Sequence, residues 1–138
     1  MALRKDAKVE RIRRVPLFSQ CSKRELEQVA GIADEVDLPE GRVLMREGER
    51  GREFMILLEG TAAVSRKGRK RSAMKAGDFF GEIALVADVP RTATVTTSSP
   101  GRVLVVTDRA FRMLLQRSPG IQLKVLAALA ERLAPDTL

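Results

Sequence analysis

Seven glycines, at positions 41, 48, 51, 60, 68, 77 and 101, punctuate the middle of this chain. They separate the apolar runs RVLM, FMILL, TAAV, TATVTT and RVLVV, each of strand length. Short strands punctuated this often by turn residues predict a β-sandwich or barrel. The residues between the glycines do not recur, so the punctuation is not a sequence repeat.

Helical texture flanks this region on both sides. Ser22 and Glu25 have capping-box spacing, Cys21 takes the staple position against Leu26, and Leu26, Val29, Ala30 and Ala33 follow a helical period. Asp108 is placed to cap a helix bearing Phe111, Leu114 and Leu115. Ser118-Pro119 then reads as an N-cap with proline at the first helical position. In the final helix Val125, Leu126, Leu129, Ala130 and Leu133 share one stripe, which spacing leaves open as core, dimer seam or movable lid. With 138 residues the chain is expected to be one domain. Its parts are a helical entry over 1–35, a β region over 36–107 and closing helices over 108–134.

Composition excludes several chemistries. There is no histidine and one cysteine, which removes Ser-His and Cys-His nucleophile pairs, histidine-ligated haem and the ordinary zinc sites. Cys21 reads as a packing residue. No apolar run approaches membrane-spanning length, and MALRKDAKVERIRR lacks a signal-peptide core, so a cytoplasmic location is expected. The net charge of +7 favours an anionic partner. Six cations fall within RKGRKRSAMK, residues 66–75, which reads as a solvated hairpin tip around Lys67-Gly68 in preference to a nucleic-acid or lipid patch. Without Trp or Tyr, and with no aromatics interleaved among the cations, single-strand stacking is disfavoured.

The run FFGEIALVADVPRTATV, residues 79–95, is the stretch with chemical content. Gly81 permits close backbone approach, and GEIALV lacks strand alternation, so it reads as a turn or two of helix. Amides at the start of such a turn suit a phosphate. Arg91 adds a planar fork matched to phosphate oxygens, Thr92 a hydroxyl, and Glu82 an acceptor for a sugar hydroxyl. On spacing alone this phosphate-plus-ribose reading stands level with an internal Glu82–Arg91 ion pair.

FGEIAL followed by PRTATV resembles the phosphate-binding cassette of the cyclic nucleotide-binding domain family. VPLFSQCSKRELEQVA resembles the family's helical entry, EGERGREFMILLEGTAAV its early strands, AGDFFGE the approach to the pocket, and FRMLLQRSPGIQLKVLAALAERL its closing helices. The resemblance implies a mainly β fold with flanking α: a jelly-roll-like β-roll with N-terminal helices, a short cassette helix and C-terminal helices. It implies Arg91 on the cyclic phosphate with Thr92 and the backbone of Ala84 and Ala93. Glu82 and the Gly81 backbone would take the ribose 2′-hydroxyl, Val64 and Ile83 would line the base pocket with Phe80 at its approach, and Arg132 would reach over the base from the last helix. The loop VADVP lacks the glycine often found before the proline.

The implied ligand is cAMP in preference to cGMP, which Thr92 admits, with no cofactor or metal. A sensor rather than an enzyme is implied, acting on a channel, transcription factor or enzyme. The ending after SPGIQLKVLAALAERLAP resembles bacterial cyclic-nucleotide-gated potassium channels, which makes a channel regulatory domain the favoured effector setting. No membrane span is expected in this chain, and nucleic acid is not expected as a partner of the cassette domain alone. The alternatives are an interaction scaffold or basic nucleic-acid module on the same roll. Arg91 is expected to serve the ligand alone, so that Arg91→Ala would fold normally.

Overall fold

The computed structural model describes residues 2–81 and 89–137, with side chains over 7–81 and 89–131. Glu82, Ile83 and Ala84 of the cassette, and the helix expected there, lie outside the described residues, as does the Arg132 side chain.

Helix α1 spans Ala2–Arg13, a short 3-10 turn follows at Pro16–Phe18, and α2 spans Lys23–Ile32. Eight strands follow among the described residues: β1 Ala33–Leu38, β2 Val43–Met45, β3 Glu53–Glu59, β4 Ala62–Arg66, β5 Arg69–Met74, β6 Phe79–Phe80, β7 Thr94–Thr97 and β8 Gly101–Thr107. Helices α3 (Asp108–Arg117) and α4 (Pro119–Thr137) close the chain. The strands form two antiparallel sheets, ordered β1-β8-β3-β6 and β2-β7-β4-β5. The fold is therefore the predicted β-roll with helices at both ends.

The continuous apolar run in β3 has a structural reason: both of its faces are buried. Phe54 and Ile56, with Leu104 and Val106 of β8, pack under the helices against Ile12, Leu26, Val29 and Phe111. Met55 and Leu57 point the other way and join Ala62, Phe80, Val95 and Val103 inside the roll. Phe54 stacks on Phe111 with ring centroids 4.4 Å apart, which ties α3 to the sheet. Removing such a fully buried ring costs about 3–5 kcal/mol.

The predicted capping box is present. The Ser22 hydroxyl accepts from the Glu25 amide, and the Glu25 carboxylate accepts from the Ser22 amide. Three expectations are corrected. Ala33 continues the helical spacing but begins β1, which pairs with β8 along its whole length. The cap of α3 is Thr107, whose hydroxyl accepts from the Ala110 amide, and Asp108 is the first helical residue. Helix α4 does begin at Pro119 directly after Ser118, but it is the Ser118 carbonyl that accepts from Gln122 N, while the buried Ser118 hydroxyl donates to Glu25 Oε2 at 2.9 Å. The buried stripe of α4 is Ile121 and Val125, with Leu129 partly buried, whereas Leu126 and Ala130 are exposed. The start of α4 is thus core, not a detachable cover.

Candidate functional site

Arg91 is the centre of the site. It enters from the turn before β7 and is 4% exposed, although its guanidinium is permanently charged. A buried charge is tolerated only with partners. Arg91 Nη1 donates to Gly81 O at 3.1 Å, Nη2 donates to Glu53 O at 2.7 Å, and the half-exposed Glu53 carboxylate lies 3.9 Å from Nη2. Its backbone is fixed as well: Arg91 N donates to Glu49 O, and Gly48 N donates to Arg91 O, both at 2.9 Å. The β2–β3 loop therefore grips the residue from one side while Gly81 meets it from the other.

Two glycines make that grip possible. A Cβ on Gly51 would overlap the Arg91 guanidinium, so only glycine leaves room for the fork. Gly81 has φ +95°, and a Cβ there would sit 2.8 Å from Glu53 O and 2.9 Å from Arg91 Nη1. The fork is thus oriented by backbone carbonyls of two separate segments, Gly81 and Glu53.

The other expected site residues divide clearly. Ala93 is buried and Thr92 half-buried, both directly after Arg91. Val64 is half-buried on β4, opposite Val95 of β7 and Ser72 of β5, and packs on the cluster inside the roll. Phe80 is 2% exposed, pairs with Met55 and belongs to that same cluster, so its side chain is roll core at the edge of the site. Arg132 lies on α4. Sequence reasoning missed Glu49, Gly51 and Glu53 as the supports of Arg91. The close spacing of Gly48 and Gly51 in EGERGRE was the available signal.

Helix α4 is held near its start by polar contacts. Lys124 Nζ donates to Pro16 O at 2.7 Å and to Ser19 Oγ at 3.3 Å, and Ser118 is bonded to Glu25. The Ser22 amide, then the Ser118 hydroxyl, holds the Glu25 carboxyl below the usual range. Burial first, then the nearby Glu25 charge, raises the Cys21 thiol, which fits a packing residue and not a nucleophile. Among the described residues no group of three or more His, Cys, Asp or Glu is placed to hold a metal, and no helix is long and apolar enough to cross a membrane.

The family model for the cyclic nucleotide-binding domain matches residues 35–118, and the chain belongs to that family. It is 39% identical over 119 residues to a cAMP-dependent protein kinase regulatory subunit of Mycosarcoma maydis, covering 78% of this chain and 22% of that protein. It is 33% identical over 118 residues to a putative potassium channel protein of Rhodopseudomonas palustris, covering 83% of this chain and 28% of that one. The chain therefore spans about a quarter of the length of these curated relatives. The regulatory domain of Toxoplasma gondii protein kinase A, solved with cAMP, superposes with a TM-score of 0.81 at 26% identity, covering 95% of this chain and 51% of the other.

Proposed function

We propose that this chain binds a 3′,5′-cyclic mononucleotide, cAMP in preference to cGMP, and serves as the sensor of an attached or associated effector. The observation that carries this is Arg91: buried, charged, and aimed by Gly81 O and Glu53 O beside the cassette segment. In this reading Arg91 binds the cyclic phosphate together with Thr92 and the amides of Ala84 and Ala93. Glu82 and the Gly81 backbone take the ribose hydroxyl, while Val64 and Ile83 line the base with Phe80 behind them. Arg132 approaches the base from α4. The domain turns nothing over. Ligand shifts the population of positions of the later turns of α4, beyond its anchored start, and the effector, of the kinase or channel class named among the relatives, reads that shift.

Ligand that binds only the folded state raises stability by ~2.7 kcal/mol at a hundredfold excess over Kd. Thermal unfolding should therefore move upward with cAMP, and Arg91→Gln should abolish the shift. An unchanged melting temperature with saturating cAMP, or an undiminished shift in the variant, would overturn the proposal.

A further inference from the structure

The β4–β5 hairpin carries a feature that the cassette does not use. Lys67 and Gly68 form its two-residue turn, with φ 53° and 75°, and the Lys67 amide donates to Glu47 Oε1, which fixes the tip. Residues 66–73 are all exposed. Arg66, Lys67, Arg69, Lys70 and Arg71 fall in this ribbon, with no acidic residue between Gly60 and Gly77. Among the described residues no carboxylate forms an ion pair with any of the five.

The register makes this more than a solvated tip. Arg66 pairs directly with Arg69 across the ladder, a like-charge juxtaposition that destabilises a hairpin. Alternation puts both on the face of Val64, while Lys70, opposite Ser65, lies on the other face. Arg71 is the extra residue of a bulge between the Ser72 and Lys70 pairings. Cations therefore leave the ribbon on both faces and at the tip. A flat lipid surface would meet only some of them, and the tip has no apolar residue to insert. Among the described residues β5 pairs only with β4, yet its bulge and charges oppose addition of a further strand along its other edge. The major groove of a duplex admits a two-stranded ribbon and is walled by phosphates on both sides. Without aromatics, the ribbon is suited to paired rather than unstacked strands.

We propose that the β4–β5 hairpin is a sequence-independent docking surface for the phosphate backbone of duplex nucleic acid. Arg66, Arg69 and Arg71 supply forks, and Lys67 and Lys70 point charges. None of the five cations is assigned to the cyclic nucleotide, so the proposal does not rest on that reading.

The test is fluorescence anisotropy of labelled duplexes of unrelated sequence, with the full chain and no cyclic nucleotide. Four to five neutralised phosphates give a log–log salt slope of about −4, a loss of a few hundredfold between about 50 and 200 mM salt. The triple variant Arg69→Gln, Lys70→Gln, Arg71→Gln should flatten the slope by nearly three and bind at least tenfold more weakly at about 50 mM salt. A circular dichroism melt establishes that the variant is folded. Since all three side chains are exposed, a fold as stable as the parent is expected. Single variants at each position replace the triple if it does not fold. No binding at low salt, or a slope that none of the variants changes, would overturn the proposal. So would tighter capture by phosphatidylserine-rich vesicles or by poly-glutamate, or strong preference for one duplex sequence.

Discussion

Arg91, the proposed phosphate ligand, also donates to the backbone carbonyls of Gly81 and Glu53. The cassette pattern around it was legible because its residues are contiguous, but the carbonyls that aim the fork come from Glu53, thirty-eight positions away, and Gly81. A spacing argument cannot see a contact that exists only after two sheets close. The expectation that Arg91 serves the ligand alone is therefore revised: Arg91→Ala would also remove its hydrogen bonds to Gly81 O, which is buried, and to the partly buried Glu53 O, at about 1–3 kcal/mol. Gly51 offers a cleaner probe. In Gly51→Ala the new methyl overlaps the guanidinium and must displace it, so cAMP affinity should fall tenfold or more although no residue assigned to the ligand has changed. Titration of the folded variant checks this. Affinity equal to the parent would mean that the orientation of the fork is immaterial.

At the scale of elements, the start of α2 could be read from Ser22 and Glu25 because capping is local. The end of α2 could not. Ala33 fits the helical period, but β1 gains a full ladder with β8 and counter-charges from afar: Arg11 grips Glu35 with both carboxylate oxygens at 2.9 Å, and Arg102 bonds Asp37 at 2.7 Å. The Ser118–Glu25 bond was equally hidden, since it joins residues 93 apart. It makes Glu25 the link between the cap of α2 and the junction of α3 with α4. Glu25→Ala should cost on the order of 1–2 kcal/mol, measured by urea unfolding. The folded-state pKa of Glu25 is lowered, so its contribution is complete above the unfolded glutamate value and is lost as pH falls through the folded one. Parent and variant stabilities should thus converge as acid carries the pH from the unfolded glutamate range down through the lowered folded value. A gap independent of pH would remove the carboxylate from the account.

The described molecule is a roll with one apolar cluster in its interior and a second between its outer face and the helices. Glycine punctuation and short apolar runs made that architecture readable, because alternation and turns are local properties. The distribution of α4 was not, since its composition is apolar on several faces: Ile121 and Val125 are core while Leu123 is 66% and Leu126 52% exposed. The burial of Ile121 and Val125 also sets the expected outcome of cutting the chain after Ser118. The cut would uncover core and destabilise the roll, not merely open it. Calorimetric titration of the purified chain with cAMP, cGMP and linear 5′-AMP decides whether the cassette binds a cyclic nucleotide. One saturable site per chain is expected, tightest for cAMP, weaker for cGMP, and lost for 5′-AMP, whose open phosphate cannot sit against Arg91 and the ribose site together. Absence of saturable cAMP binding, or 5′-AMP bound as tightly as cAMP, would contradict that expectation.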